Sequence, residues 1–195
     1  MRSFLCPADG SNGRIMGSPF GCTNYVASSG SGLIDGGNLA TADGVFLLGV
    51  PQADRDITDG LSQTIAFSER TLGLGQVGST TLDIQRSMRE FPGAASPTSS
   101  LCDSTSSRTW NSERGGKWIL GNYGNTLYNH SYPPNAAAWD CLNATQQKAL
   151  MSARSQHANG VIVLHCDGST HFVMDSIELS TWQALATRAG GEVVE

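Results

Sequence analysis

The amino-acid sequence predicts an α+β domain with an antiparallel β-sheet, short helices and long Gly/Ser-rich loops. Three observations predict it. Residues 155–189 read as a β-hairpin followed by a closing helix. Short apolar runs that alternate with polar residues, as at 64–69, recur between turn signals. The chain has 23 glycines in 195 residues and only 15% charged residues, which suits a loop-rich, extracellular type of protein more than a helical cytosolic enzyme.

The hairpin is the clearest element. Residues 161–164 are apolar and mostly β-branched, 172–174 form a second apolar run, and Asp167-Gly168 stands between them. Asp-Gly supplies the φ > 0 geometry that a tight turn needs. Ser180 is the expected N-cap of the helix, in which Trp182, Leu185, Ala186 and Ala189 recur at helical spacing until Gly190-Gly191 ends it.

The earlier elements follow in chain order. Cys6-Pro7 and Asp9-Gly10 are turn chemistry, and residues 11–19 carry no period. Residues 24–27 form a short strand. Residues 30–37, rich in Gly, are expected to be a flexible connection; they lack the Lys-Ser/Thr ending of a phosphate-binding loop, so no nucleotide cofactor is expected. Residues 43–48 read as a turn leading into a strand that Pro51 stops. A helical turn at 57–62 precedes a strand at 64–69, on which Ile65 and Phe67 share an apolar face. Residues 71–114 read as a loop-rich insertion, with seven serines (Ser96, Ser99, Ser100, Ser104, Ser106, Ser107, Ser112) in its second half. Strand character returns at 115–120, Pro133 holds Tyr132 extended in a rigid loop at 128–135, and Asn143 is the expected cap of a helix over 144–155.

Length and charge narrow the function classes. A chain of this length buries roughly 70% of its unfolded surface, enough for one core, so a single domain over 1–195 is expected. The net charge of -5, with Lys117 and Lys148 as the two lysines, argues against nucleic acid. No run of about 18 apolar residues exists to span a membrane, and no charged-then-apolar targeting leader is present.

Candidate chemistry centres on histidine. His130, His157, His165 and His171 all lie in the last third of the chain, and with Asp167 and Asp175 they could hold zinc with an open water position. Such a water could attack an ester or phosphoester, the chemistry of a metal-dependent hydrolase. The turn decides part of this. A two-residue turn at Asp167-Gly168 sends His165 and His171 to opposite faces; a three-residue loop at 166–168 puts both on one face. Asp54, Asp56, Asp59 and Glu69 form an alternative calcium set, although Asp at turns and Glu69 paired to Arg70 is the simpler reading. Trp110, Trp118, Trp139 and Tyr123 could form a sugar-binding platform or, more simply, core. No Gly-x-Ser-x-Gly elbow occurs, and Cys166 beside His165 would point to the opposite face of a strand.

Several blocks together resemble one family. They are FLCPADG (4–10), CTNYVASSG (22–30), ITDGLSQTIAFSER (57–70), RGGKWILG (114–121), YNHSYPPN (128–135), ARSQHANGVIVLHCDGSTHFV (153–173) and TWQALATRAGGEVV (181–194). His157 followed after nine residues by Asp167-Gly168 is similar to the H-x9-DG signature that ends the DUF1559 proteins, pilin-like proteins of planctomycetes. The resemblance implies a pilin-like headpiece, related to type II secretion pseudopilins, at the cell envelope. Members normally open with a prepilin leader and a long apolar helix. This sequence begins directly at RSFLCPADG, so the expectation is a headpiece alone, with an apolar sheet face left open to self-association. For an exported headpiece, the five cysteines allow two disulfides, Cys6 with Cys22 and Cys102 with Cys141, leaving Cys166 as a buried odd thiol. His130 and His157 stand in motifs of the family; His165 and His171 do not. A structural or binding role leads, a zinc-type hydrolase is the rival, and a carbohydrate-binding module comes third.

Overall fold

The computed structural model describes residues 2–75, 82–103 and 109–192. In chain order the strands are β1 (Tyr25–Ser28), β2 (Ile65–Glu69), β3 (Met88–Phe91), β4 (Thr109–Asn111), β5 (Leu127–Tyr128), β6 (Cys141–Asn143), β7 (Ala149–Leu150), β8 (Gly160–His165) and β9 (Thr170–Met174). The α-helices are α1 (Ser99–Asp103) and α2 (Leu179–Ala184). They make a mixed α+β fold, mostly β, with two sheets in the orders β5-β1-β2-β8-β9 and β4-β3-β6-β7.

Neither sheet is purely antiparallel, which corrects the expectation. β1 pairs with β5 in parallel, and β3 pairs with β6 in parallel. Strands as short as β5 carry no alternation to read, so their direction is set by long loops and tertiary bonds. The last hairpin takes the three-residue loop. Val163 lies opposite His171 and Leu164 opposite Thr170, and Gly168 accepts φ = 87° in the loop.

The inner face of the five-stranded sheet builds the core. Val26, Ile65, Val161 and Val163 are fully buried against Trp182, Met151 and Tyr128. Trp182 is the largest of them, and truncating it to alanine would cost about 3–5 kcal/mol. α2 is shorter than predicted: Glu178, not Ser180, is its N-cap, and it ends before Ala189. The Asp59 carboxylate accepts the N–H groups of Gly190 and Gly191, and Arg188 N–H donates to Asp43 O, so tertiary bonds draw the chain out of helical geometry.

Four other segments differ from expectation. Residues 144–155 are not helical. Asn143 Oδ1 accepts from the backbone N–H groups of Gln147 and Lys148, which closes a turn between β6 and β7, and the chain beyond runs buried from Met151 to Ser155. Residues 115–120 are turns, with Ile119 73% exposed, and residues 43–48 hold one isolated bridge in place of a strand. The Gly-rich loop at 30–37 is tied down rather than flexible where it begins. Gly30, at φ = 125°, accepts from His130 N–H and lies against the backbone of Gly44, where any Cβ would collide.

The segment 71–114, expected as a loop-rich insertion, supplies β3, α1 and β4, two of the four strands of the second sheet. Residues 76–81 and 104–108 of it, including Ser104, Ser106 and Ser107, lie outside the described residues. Cys102 on α1 is disulfide-bonded to Cys141 on β6, as the sequence led us to expect. Cys6 and Cys22 are not bridged to each other. Cys22 packs with Ile15 and Leu72, while Cys6 is turned toward β2 by Asn24, whose Oδ1 accepts its N–H.

Candidate functional site

The six expected zinc residues do not converge on one site. His130 is fully buried, and its ring stacks on Trp182 with centroids 3.7 Å apart. Its Nδ1 lies 2.6 Å from Trp182 O, which can only accept, so Nδ1 carries the proton and Nε2 accepts from the Tyr128 hydroxyl at 2.8 Å. Burial pushes this imidazole down to about 3. Both nitrogens are occupied, and His130 is a core residue that holds α2 to the sheet.

The three-residue loop brings His165 and His171 together, with ring centroids 5.0 Å apart. Burial, then the neighbouring His171, lowers His165. Asp167 does not complete a site with them. Its Oδ1 accepts from the N–H and hydroxyl of Ser169, which caps its own turn, and the Ser169 bonds lower its carboxyl. Asp175 is bonded to Asn135 Nδ2.

The calcium set is likewise dispersed. Asp56 accepts from Ala53 N–H in a short 3-10 turn, and Asp59 binds Thr187, Gly190 and Gly191 at the C-terminal segment. Glu69 lies at the far end of β2 and pairs with His157 rather than Arg70. The guanidinium of Arg70 instead donates to the carbonyls of Tyr123, Asn125 and Leu127; burial lowers it to about 9.

One convergence was not foreseen. Cys6 Sγ lies 3.5 Å from His157 Nε2, and Glu69 Oε1 lies 3.2 Å from the same nitrogen. Among the described residues, these are the three metal-type donors that gather within 4.8 Å of one another. Each is set from a different element. Cys6 follows a 3-10 turn and donates its N–H to Asn24; Asn24 in turn binds Asp9, whose carboxylate also accepts from Leu72 N–H and pairs with Arg86. Glu69 ends β2, is 3% exposed, and fixes its second oxygen on Ile162 N–H at 2.8 Å. His157 sits just before β8, with its N–H donating to Ser155 Oγ. Burial pushes the Cys6 thiol up, and Glu69 adds to that. A span of 151 residues separates Cys6 from His157, so no local spacing signals the group. The available signal was that FLCPADG, FSER and the H-x9-DG block each contribute one donor.

Cys166 is half-buried, and burial pushes its thiol up to about 11, which leaves it a poor nucleophile. The expected aromatic platform does not form either. Trp110 and Trp139 meet edge to face at 4.7 Å under the Arg89 guanidinium, Trp118 stacks on Phe4, and Tyr123 is fully buried.

The outer face of the five-stranded sheet is apolar and open. Tyr25, Phe67, Ile162, Leu164 and Phe172 lie on it, with Ile162 opposite Phe172 and Phe67 opposite Leu164. Phe4 and Tyr25 border a groove of about 380 Å³ across β2 and β8. A second, about 360 Å³, continues past Phe46 to Trp118. Among the described residues no helix is long and apolar enough to cross a membrane.

Comparison with known proteins adds one finding. A family model described as a protein of unknown function, DUF1559, matches residues 1–180. No curated protein and no solved structure matches the chain.

Proposed function

The chain belongs to the DUF1559 family, and on that premise we propose that it is a structural or binding module, a pseudopilin-like headpiece of the cell envelope that works by association through the outer face of its five-stranded sheet. The open apolar face carries this reading. Tyr25, Ile162 and Phe172 remain more than a third exposed on one side of the sheet, where a monomer gains nothing from them. The Cys102–Cys141 disulfide suits an oxidising compartment outside the cytoplasm. The occupant to which the reading commits is a second copy of this chain, because the face carries apolar side chains (Tyr25, Phe67, Ile162, Leu164, Phe172) and apolar grooves that a second such face can fill.

Sedimentation equilibrium over a broad concentration range tests it. Wild type should self-associate. Ile162→Asp and Phe172→Asp should each weaken association at least about tenfold, since each buried apolar side chain contributes roughly 1.5–3 kcal/mol. A wild-type chain that stays monomeric at every concentration would sink the proposal.

A further inference from the structure

We propose that Cys6, Glu69 and His157 bind one zinc-class metal ion, with an open fourth position, and that this ion fastens the N-terminal segment to the end of the central strands β2 and β8 of the five-stranded sheet. The donor set suits the metal: thiolate, imidazole and carboxylate oxygen are the ordinary ligands of zinc. The spacing suits it too. A tetrahedral ion with usual zinc bond lengths holds sulfur and nitrogen about 3.5 Å apart, and nitrogen and oxygen about 3.3 Å apart. The corresponding separations here are 3.5 Å and 3.2 Å.

The surroundings hold these donors in place. Glu69 Oε2 is fixed on Ile162 N–H, which leaves Oε1 as a single ligand atom; Cys6 is braced through Asn24, and His157 through Ser155. The Ile162 contact is the kind that orients a metal ligand, while the Asn24 and Ser155 bonds hold the backbones that carry Cys6 and His157. Glu69 is also a carboxylate of 3% exposure whose ion-pair partner, among the described residues, is His157 alone. A divalent cation supplies the charge that this burial calls for. The His157 side chain is 34% exposed, so the fourth position opens to water on that side.

The alternative chemistry for these residues is a thiol catalytic triad, and the geometry argues against it. In a triad the carboxylate holds the imidazole at one nitrogen and the thiol meets the other. Here thiol and carboxylate approach the same Nε2. Three groups directed at one point mark an ion site, whereas a relay needs them in line.

The test uses the full chain, chelator-treated, with its disulfide intact. Cobalt should bind at one ion per chain with a thiolate-to-metal charge-transfer band, and zinc should displace it. Cys6→Ser should abolish the band. Cys6→Ser and His157→Gln should each weaken zinc binding by at least about 100-fold, beyond the loss that outer contacts alone produce, while Cys22→Ser and Cys166→Ser should leave both readouts unchanged. A chain that gives no charge-transfer band, or whose band survives Cys6→Ser, overturns the proposal. If the variants fail to fold, alkylation of wild type decides: zinc should protect Cys6 from iodoacetamide, and Cys6 labelled equally with and without zinc overturns it.

Discussion

Acid should destabilise this protein through His130 before its carboxylates titrate. The imidazole is fully buried between Tyr128 and Trp182, and burial pushes it down to about 3. In the unfolded chain it titrates near about 6.5. Below that value the unfolded state takes up a proton that the native state refuses, so stability falls as pH drops toward 3. Each pH unit in the window costs about 1.4 kcal/mol, or about 3 kcal/mol between pH 6.5 and pH 4. For a chain of this size that lowers the melting temperature by roughly 6–12 °C. The assay is urea unfolding at a series of pH values, followed by circular dichroism, on wild type and His130→Phe. The variant loses two hydrogen bonds, from Nδ1 to Trp182 O and from Tyr128 to Nε2, and should be about 1–3 kcal/mol less stable at pH 7. Its profile should nevertheless be flatter, so the two curves approach each other by pH 4. Depressed carboxylates such as Asp9 and Asp140 act in both proteins and cancel in the comparison. Parallel profiles would refute the reasoning.

Two further perturbations probe the second sheet. Asp140 is buried between Arg114 and Arg154, bonded to Arg114 and, at 3.0 Å, to Arg154 Nε and Nη2. Burial alone would raise its carboxyl, but the two guanidiniums outweigh burial and hold it below the usual range. Asp140→Ala strands both cations in the interior and should cost about 3–5 kcal/mol in urea unfolding; a cost under about 1 kcal/mol, the size of a surface pair, would refute that account. Cys102→Ser releases a crosslink between residues 39 apart in sequence. By chain entropy it should cost about 4 kcal/mol, and a melting temperature unchanged by reduction of wild type would contradict this.

What the sequence revealed and what it hid follow from how far each signal reaches. β1, β2, β8 and β9 were legible as strands because each carries alternation or a β-branched run next to a turn residue, but the shared apolar face expected for Ile65 and Phe67 is not formed: a register shift between them turns Ile65 to the core and Phe67 to the outer face. Of the two pairings expected for an exported headpiece, Cys102–Cys141 forms and Cys6–Cys22 does not, because the neighbourhoods of Cys6 and Cys22 are set by Asn24, Ile15 and Leu72 rather than by proximity in sequence. Residues 144–155 misled for a different reason. An Asn followed by ATQQK has good helix propensity, yet the Asn143 side chain closes its own turn, and the chain then pairs as β7. The parallel pairings β1–β5 and β3–β6 were beyond reach, since strands as short as Leu127–Tyr128 have no period.

The spacing between His157 and Asp167-Gly168 acquires a physical meaning from the fold. Nine residues lie between His157 and Asp167, and six of them are β8, a strand of roughly 20 Å. The motif is therefore one strand bracketed by two polar ends with separate tasks. At one end His157 meets Glu69 and Cys6; at the other Asp167 caps the loop that sets the register of β9. The two ends lie at opposite limits of β8, too far apart to share one site. That separation explains why a single histidine and carboxylate set, drawn from the whole last third of the chain, could not converge. It also shows where a partner for His157 had to be found: on β2, the neighbour of β8, at the strand end where Glu69 and the N-terminal segment meet. Ile162 of β8 also donates its N–H to Glu69, so a deletion within β8 should disturb both ends, whereas a change confined to Asp167 should disturb the loop and leave His157 beside Glu69.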